Sequence, residues 1–202
     1  MRALISLLLF LLALGVRVRA RAPIIVVGSI NADVIVPLLK LPKAGETVSA
    51  KDTSSTGTTV PGGKGANQAV AVSRLGAPTI FVGQFGNDSN ALMLESVMKE
   101  ENIDLELCKR VAHPSGMGLV LLLDEGGSTC IVTGGSNMHW APGDVSTLAD
   151  SLSQRDAACI LLQMEVPHEV NEAVAAAAER AGSPVFQDVG GAGNYYYFIQ
   201  KS

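Results

Sequence analysis

An α/β fold, with a parallel sheet covered on both faces, is expected from three features of this chain. Short apolar runs bounded by Gly or Pro alternate with stretches of helical period. Those helical stretches are long enough to carry a crossover from one strand to the next parallel one. The 202 residues, 48% hydrophobic and only 17% charged, supply a packed core for about one domain.

The elements follow in order. Ile24-Ile25-Val26-Val27 ends at Gly28 and reads as a buried parallel strand. Residues 34 to 60 are rich in Thr and Ser and broken by Pro37, Pro42, Gly45 and Gly57, so they read as hairpins projecting from the main sheet. A small-residue helix is predicted over 64 to 75, closed by Gly76, and then a strand at Thr79-Ile80-Phe81-Val82. Leu94, Val97, Met98 and Glu101 have helical spacing within 89 to 101, with Asp88-Ser89 placed to cap the start. Two apolar runs flank Asp124-Glu125-Gly126-Gly127 and predict a hairpin across 118 to 133. A helix over 142 to 154, a strand from Ala157 to Gln163, and a helix over 168 to 181 come next. The last has Val170, Val174, Ala177 and Ala181 on one face and Gly182 after it. Pro184-Val185-Phe186-Gln187 is the final strand.

Charge and cysteine content exclude several functions. A net charge of −4 and a pI near 5.3 leave no basic footprint for nucleic acid. Cys108, Cys130 and Cys159 are odd in number, widely spaced and without CxxC pairing, which fits free thiols better than a disulfide framework or zinc site. His113, His139 and His168 lack ligand spacing and read as surface or capping residues; Trp140 reads as a packing residue. Residues 1 to 22 form a leader, with an apolar run from Ala3 to Val16 followed by Arg17, Arg19 and Arg21. The run is short for a membrane span. A secretory signal with cleavage after Val18-Arg19-Ala20 and an organelle transit peptide both fit. Membrane contact is expected only through this leader, if it stays uncleaved.

The chemistry concentrates in Gly28-Ser29-Ile30-Asn31-Ala32-Asp33 and Pro61-Gly62-Gly63-Lys64-Gly65-Ala66-Asn67-Gln68-Ala69. Glycines let a ligand lie against the backbone, and Lys, Asn and Asp supply donors and acceptors for several hydroxyls. The tract is not a P-loop, because Gly65 rather than Ser or Thr follows Lys64. Gly28-Ser29-Ile30 is not a dinucleotide fingerprint either. Asn31 and Asp33 fall just past the carboxyl end of the first strand, where open α/β sheets bind ligands, although Asn-x-Asp there is also a common turn. Glu165, after the apolar Leu161-Leu162, is either a helix cap or a site residue.

These motifs, with Gly45-Glu46-Thr47, Arg74-Leu75-Gly76 and Gly83…Gly86-x-Asp88-Ser89, resemble the ribokinases of the PfkB carbohydrate kinase family across residues 24 to 190. The resemblance implies a ribokinase-like three-layer parallel sheet with a small β lid, incomplete at the C-terminus. The domain would span 23 to 191, with lid segments at 34 to 60 and 115 to 135, and an unrelated tail at 192 to 202. It implies that Asn31, Ala32, Asp33, Gly63, Lys64, Gly65, Ala66, Asn67 and Glu165 bind the substrate. The reaction implied is ATP-dependent phosphorylation of D-ribose at its primary hydroxyl, giving D-ribose 5-phosphate with Mg2+ and K+. It further implies a homodimer formed through the lid, and a cytoplasmic, plastid or mitochondrial location over secretion.

One element of that pattern is missing. The family carries its catalytic base in an Asp-Thr-x-Gly-Ala-Gly-Asp helix start. Asp188-Val189-Gly190-Gly191-Ala192-Gly193-Asn194 imitates the spacing, with Val189 for the threonine and Asn194 for the base. An amide takes no proton at neutral pH. No catalytic, cofactor-binding or metal residue is therefore assigned, and this chain alone is expected not to catalyse the transfer. The end, from Asn194 to Ser202, matches nothing in the family and reads as read-through after truncation, for example from an alternative transcript. Two other functions stay open: a non-catalytic sugar-binding or dimerisation module, and a PfkB kinase for another sugar or a nucleoside.

Overall fold

The computed structural model describes residues 22–53 and 57–190. The leader expected at 1 to 22, except for its last residue, and the tail expected at 192 to 202 lie outside the described residues. Two four-stranded sheets and four helices make up most of the rest.

The main sheet has strand order β10-β9-β1-β4 and is parallel throughout, with β1 at Ile24–Val27, β4 at Thr79–Val82, β9 at Cys159–Leu162 and β10 at Val185–Gln187. Alternation along the strands divides the core in two. Ile25, Val27, Ile80, Val82, Ile160 and Leu162 face α3 (Pro142–Ser153) and α4 (His168–Ala181). Val26 and Phe81 face α1 (Lys64–Arg74) and α2 (Ser89–Glu100), meeting Ala66, Ala69, Leu94 and Met98. The three-layer expectation is met over β1 and β4. At β10, however, Phe186 is 62% exposed, so the α1 side of that strand has no cover among the described residues.

Local signals explain the helix ends. Asp88 accepts from the Ala91 N–H at 2.9 Å and caps α2. Gly182, in the left-handed region at φ 69°, ends α4. On α4 the buried stripe is Val170, Val174, Ala177 and Ala178; Ala181, expected on that face, is only half-buried at the last residue of the helix.

The lid sheet has order β3-β2-β7-β8: β2 Asn31–Leu38, β3 Thr58–Gly62, β7 Gly116–Leu123 and β8 Ser128–Thr133. β2 pairs parallel with β7, and each has an antiparallel outer neighbour. The hairpin at 118 to 133 is as expected. The lid strand begins earlier than expected, at Asn31, so Asn31 and Asp33 belong to the root of the lid and not to a loop after β1. A small parallel pair, β5 (Gln84–Phe85) with β6 (Lys109–Arg110), flanks β4, and a 3-10 turn at Gly135–Met138 leads from β8 to α3.

The other sequence expectations resolve simply. All three cysteines are free; the Cys108 thiol donates to the Phe81 carbonyl at 3.2 Å, and burial pushes it up to about 12. His168 lies at the start of α4 beside Glu172, 3.1 Å away, and the rings of His113 and His139 stack with centroids 3.3 Å apart. Trp140 packs against the α3/α4 core. Asp188 accepts from the Gly190 N–H at 2.7 Å, a local turn after β10. Among the described residues no helix is long and apolar enough to cross a membrane.

Candidate sugar site

From β1 the chain goes to β4 on one side and later returns to place β9 on the other. Neighbouring loops therefore diverge at the carboxyl ends of β1 and β9, which opens a crevice there. Ser29 leaves β1 and Glu165 follows β9, and the two meet: the Ser29 hydroxyl donates to Glu165 Oε2 at 2.6 Å. The same oxygen accepts the Lys64 N–H at 3.0 Å, while the Gly65 N–H reaches Ser29 Oγ at 3.3 Å. Glu165 is thus the anion at the N-terminus of α1, where the helix dipole favours negative charge. Its cap and site readings merge, since one carboxylate closes the helix start and borders the crevice.

Backbone geometry makes this approach possible. Gly63 has φ 91°, a conformation that side-chain-bearing residues rarely adopt, and it turns β3 into α1. A Cβ on Gly65 would lie 2.6 Å from the Ser29 nitrogen, so only glycine lets α1 press this close to the end of β1. The side chain of Lys64 extends from the helix start, 3.9 Å from Glu165 Oε1, and donates to the Gly190 carbonyl.

Asn31 and Asp33 approach from the lid root. They alternate with Ala32 along β2 and share a face with Gly116 and Gly118 of β7. Asn31 is buried, and its Oδ1 accepts from Asn137 Nδ2 at 2.7 Å. Asp33 lies between two glycines: a Cβ would come 1.9 Å from its Oδ2 at Gly62 and 2.5 Å from its Oδ1 at Gly118. Asp33 Oδ1 is buried with no hydrogen-bond partner. Burial pushes its carboxyl above the usual range, the Gly118 amide opposes this in part, and the charge of Glu165 adds to the rise.

The remaining expected residues divide. Ala32 and Ala66 are buried in the α1/α2 core, so only their backbones border the site. Asn67 is exposed on the first turn of α1.

Two residues of this framework escaped the sequence reading. Ser29 is fully buried and links α1 to Glu165. Asn137, from the 3-10 turn, is 1% exposed and makes three bonds: it accepts from Ile30 N at 2.9 Å and donates to Ile30 O at 3.1 Å and to Asn31 Oδ1. Ser29 sat inside the polar run already under suspicion. Asn137 is far away in sequence, and no local pattern connects it to Asn31.

The model of the pfkB family carbohydrate kinases matches residues 21–197 of this chain. The chain belongs to that family. A ribokinase of Arabidopsis thaliana is 41% identical over 172 residues, 84% of this chain and 44% of that protein. A ribokinase of Bacillus subtilis is 34% identical over 151 residues, 75% of this chain and 50% of that one. Among solved structures, Arabidopsis thaliana ribokinase complexed with ribose and ATP superposes with a TM-score of 0.68 at 38% identity, over 85% of this chain and 54% of that one. Ribokinase from Thermotoga maritima gives 0.69 at 30% identity, with 85% and 54% covered. The chain spans about half the length of the ribokinases it matches. The ribokinase-like α/β fold, with its parallel sheet and mixed β lid, is shared with these relatives.

Proposed function

We propose that this family member binds D-ribose in the crevice between the lid root and the start of α1. The observation that carries the proposal is Asp33 Oδ1, a buried acceptor without a partner. A sugar hydroxyl would satisfy it, and Asp33 can accept two such hydroxyls. The Oδ1 of Asn31 is held by Asn137, which leaves its amide nitrogen as a donor. The Gly63–Lys64 backbone and the Lys64 ammonium would line the opposite wall, with Glu165 fixing the helix start and Asn67 at the rim. The complex of the Arabidopsis thaliana relative with ribose and ATP supports pentose as the sugar class.

The reaction proposed for the site is transfer of a phosphoryl group from ATP to the primary hydroxyl of the sugar. A base on that hydroxyl and donors to the moving phosphoryl group are needed for it. The described residues do not offer a place for ATP at the α1 start, because Glu165 already occupies the helix N-terminus with a carboxylate. Among the described residues no group of three or more His, Cys, Asp or Glu side chains could hold a metal ion by itself. No step is routed through these groups. A non-catalytic sugar-binding or dimerising role is the second reading, because Asp188-Val189-Gly190-Gly191-Ala192-Gly193-Asn194 imitates only the spacing of the family's base motif and ends in an amide. Met117 and Ile131, exposed on the lid face away from Asp33, support a homodimer through the lid.

Thermal shift with D-ribose, other pentoses, hexoses and nucleosides tests the site. D-ribose should raise Tm, the rise growing with the logarithm of its concentration above Kd, and Asp33→Ala should abolish it. A shift that survives Asp33→Ala, or one that is larger for a nucleoside, overturns the ribose assignment. Ribose-dependent ADP formation tests catalysis, and turnover by this chain would overturn the non-catalytic reading. Light scattering of the wild type and a Met117→Lys/Ile131→Lys variant reads the dimer.

A further inference from the structure

We propose that a cleft between β6 and α3 is a second small-molecule site, shaped for an uncharged aromatic carboxamide. The cleft encloses about 180 Å³. An apolar cavity of about 150 Å³ is enough to hold benzene. Its walls are Trp140, Leu107 and Leu148. Two ion pairs strap α3 and the turn after it to the β6 segment: Lys109–Asp144 at 2.5 Å and Arg155–Glu106 at 2.5 Å. Gln84 also lines the cleft. Its neighbour Phe85 packs into the α1/α2 core, so strand alternation turns Gln84 to the opposite side, toward α3. Gln84 is 1% exposed, and both its Nε2 and its Oε1 are buried without a hydrogen-bond partner.

That pair of atoms defines the ligand. Two unsatisfied amide atoms at one place are costly, and a single partner that offers both an acceptor and a donor relieves both. A primary carboxamide does so in one plane. The ligand is uncharged because the bordering charges are already paired, and a further buried charge would be uncompensated. It is flat and apolar beyond the amide because the indole and the two leucines form the walls. The site shares no lining residue with the sugar crevice, so the proposal stands or falls apart from the ribose reading.

Trp140 is the sole tryptophan of the chain, so its fluorescence reports occupancy directly. Benzamide is the probe, with benzoate and toluene as comparisons. A saturable change with benzamide is expected, with a Kd on the order of 1 mM for so small a ligand. Benzoate should bind at least about tenfold more weakly, since it lacks the donor. Gln84→Leu should remove the preference for benzamide over toluene, and far-ultraviolet circular dichroism checks that the variant folds. Ser151→Phe, which fills the cleft from α3, should block all three probes. No saturable response in the wild type up to about 20 mM, twenty times the expected Kd, overturns the proposal and leaves water as the occupant. So does benzamide binding that is unchanged in Gln84→Leu and in Ser151→Phe.

Discussion

The main sheet and the lid sheet have the same number of strands, yet they are stabilised in different ways. In the main sheet Ile25, Val26, Val27, Phe81 and Val82 are fully buried between two helical layers. In the lid the whole of β8 is exposed, and burial is confined to the root and to Leu38. The body is held by packing on both faces, while the lid is held by its strand pairing and by a few polar bonds at its root. The proposed sugar site lies at that seam, with one wall fixed by the body and the other carried on the lid.

The largest effect should come from the body. Phe81→Ala removes a fully buried ring and should cost about 3–5 kcal/mol in urea unfolding, whereas Ile131→Ala on the lid should cost less than about 0.5 kcal/mol. Similar costs at both positions would break the contrast. Next comes the seam. Asn137→Ala leaves the Ile30 N–H and carbonyl without their side-chain partner and should cost about 2–3 kcal/mol, with ribose affinity falling as Asn31 loses its support. Calorimetric titration alongside unfolding reads both quantities.

A smaller change should sharpen the distinction between fold and site. Gly118→Ala puts a methyl 2.5 Å from Asp33 Oδ1 and should weaken ribose binding about tenfold or more, with stability changed by less than about 1 kcal/mol. The smallest effect is electrostatic. The carboxyl of Asp33 is raised in the fold, so the folded state holds its proton more tightly than the unfolded chain, whose value is near 3.8. Its contribution favours folding below that value and is lost as pH rises through the folded value. Asp33→Asn should therefore raise the ligand-free Tm slightly at pH 7, and the gain should vanish below about pH 3.8. A variant less stable than the wild type at neutral pH would contradict this.

Much of the body was legible because each element carried its own local signal: the apolar runs of β1 and β4, the Asp88 cap and the Gly182 stop. The site was legible in part. Glycines before Lys64 and polar residues after β1 are local patterns, and they pointed to the crevice. The extent of β2 was not legible, because Asn31-Ala32-Asp33 reads locally as a turn and becomes strand only by pairing with β3 and β7. Asn137 was hidden for the same reason. Its role depends on a contact with Ile30 and Asn31 that exists only once the lid closes the gap between distant parts of the chain. Glu165 was ambiguous because it caps α1, which precedes it, and not the helix that follows it.

The parallel register of β2 with β7, from Asn31↔Gly116 to Leu38↔Leu123, also fixes an order of events. During synthesis β2 emerges long before its central partner, and only β3 is available to pair with it in the meantime. Closing so long a loop is slow relative to the local steps that build α1 and α2. The proposed sugar site is therefore expected to assemble late, after the scaffold beneath it has consolidated.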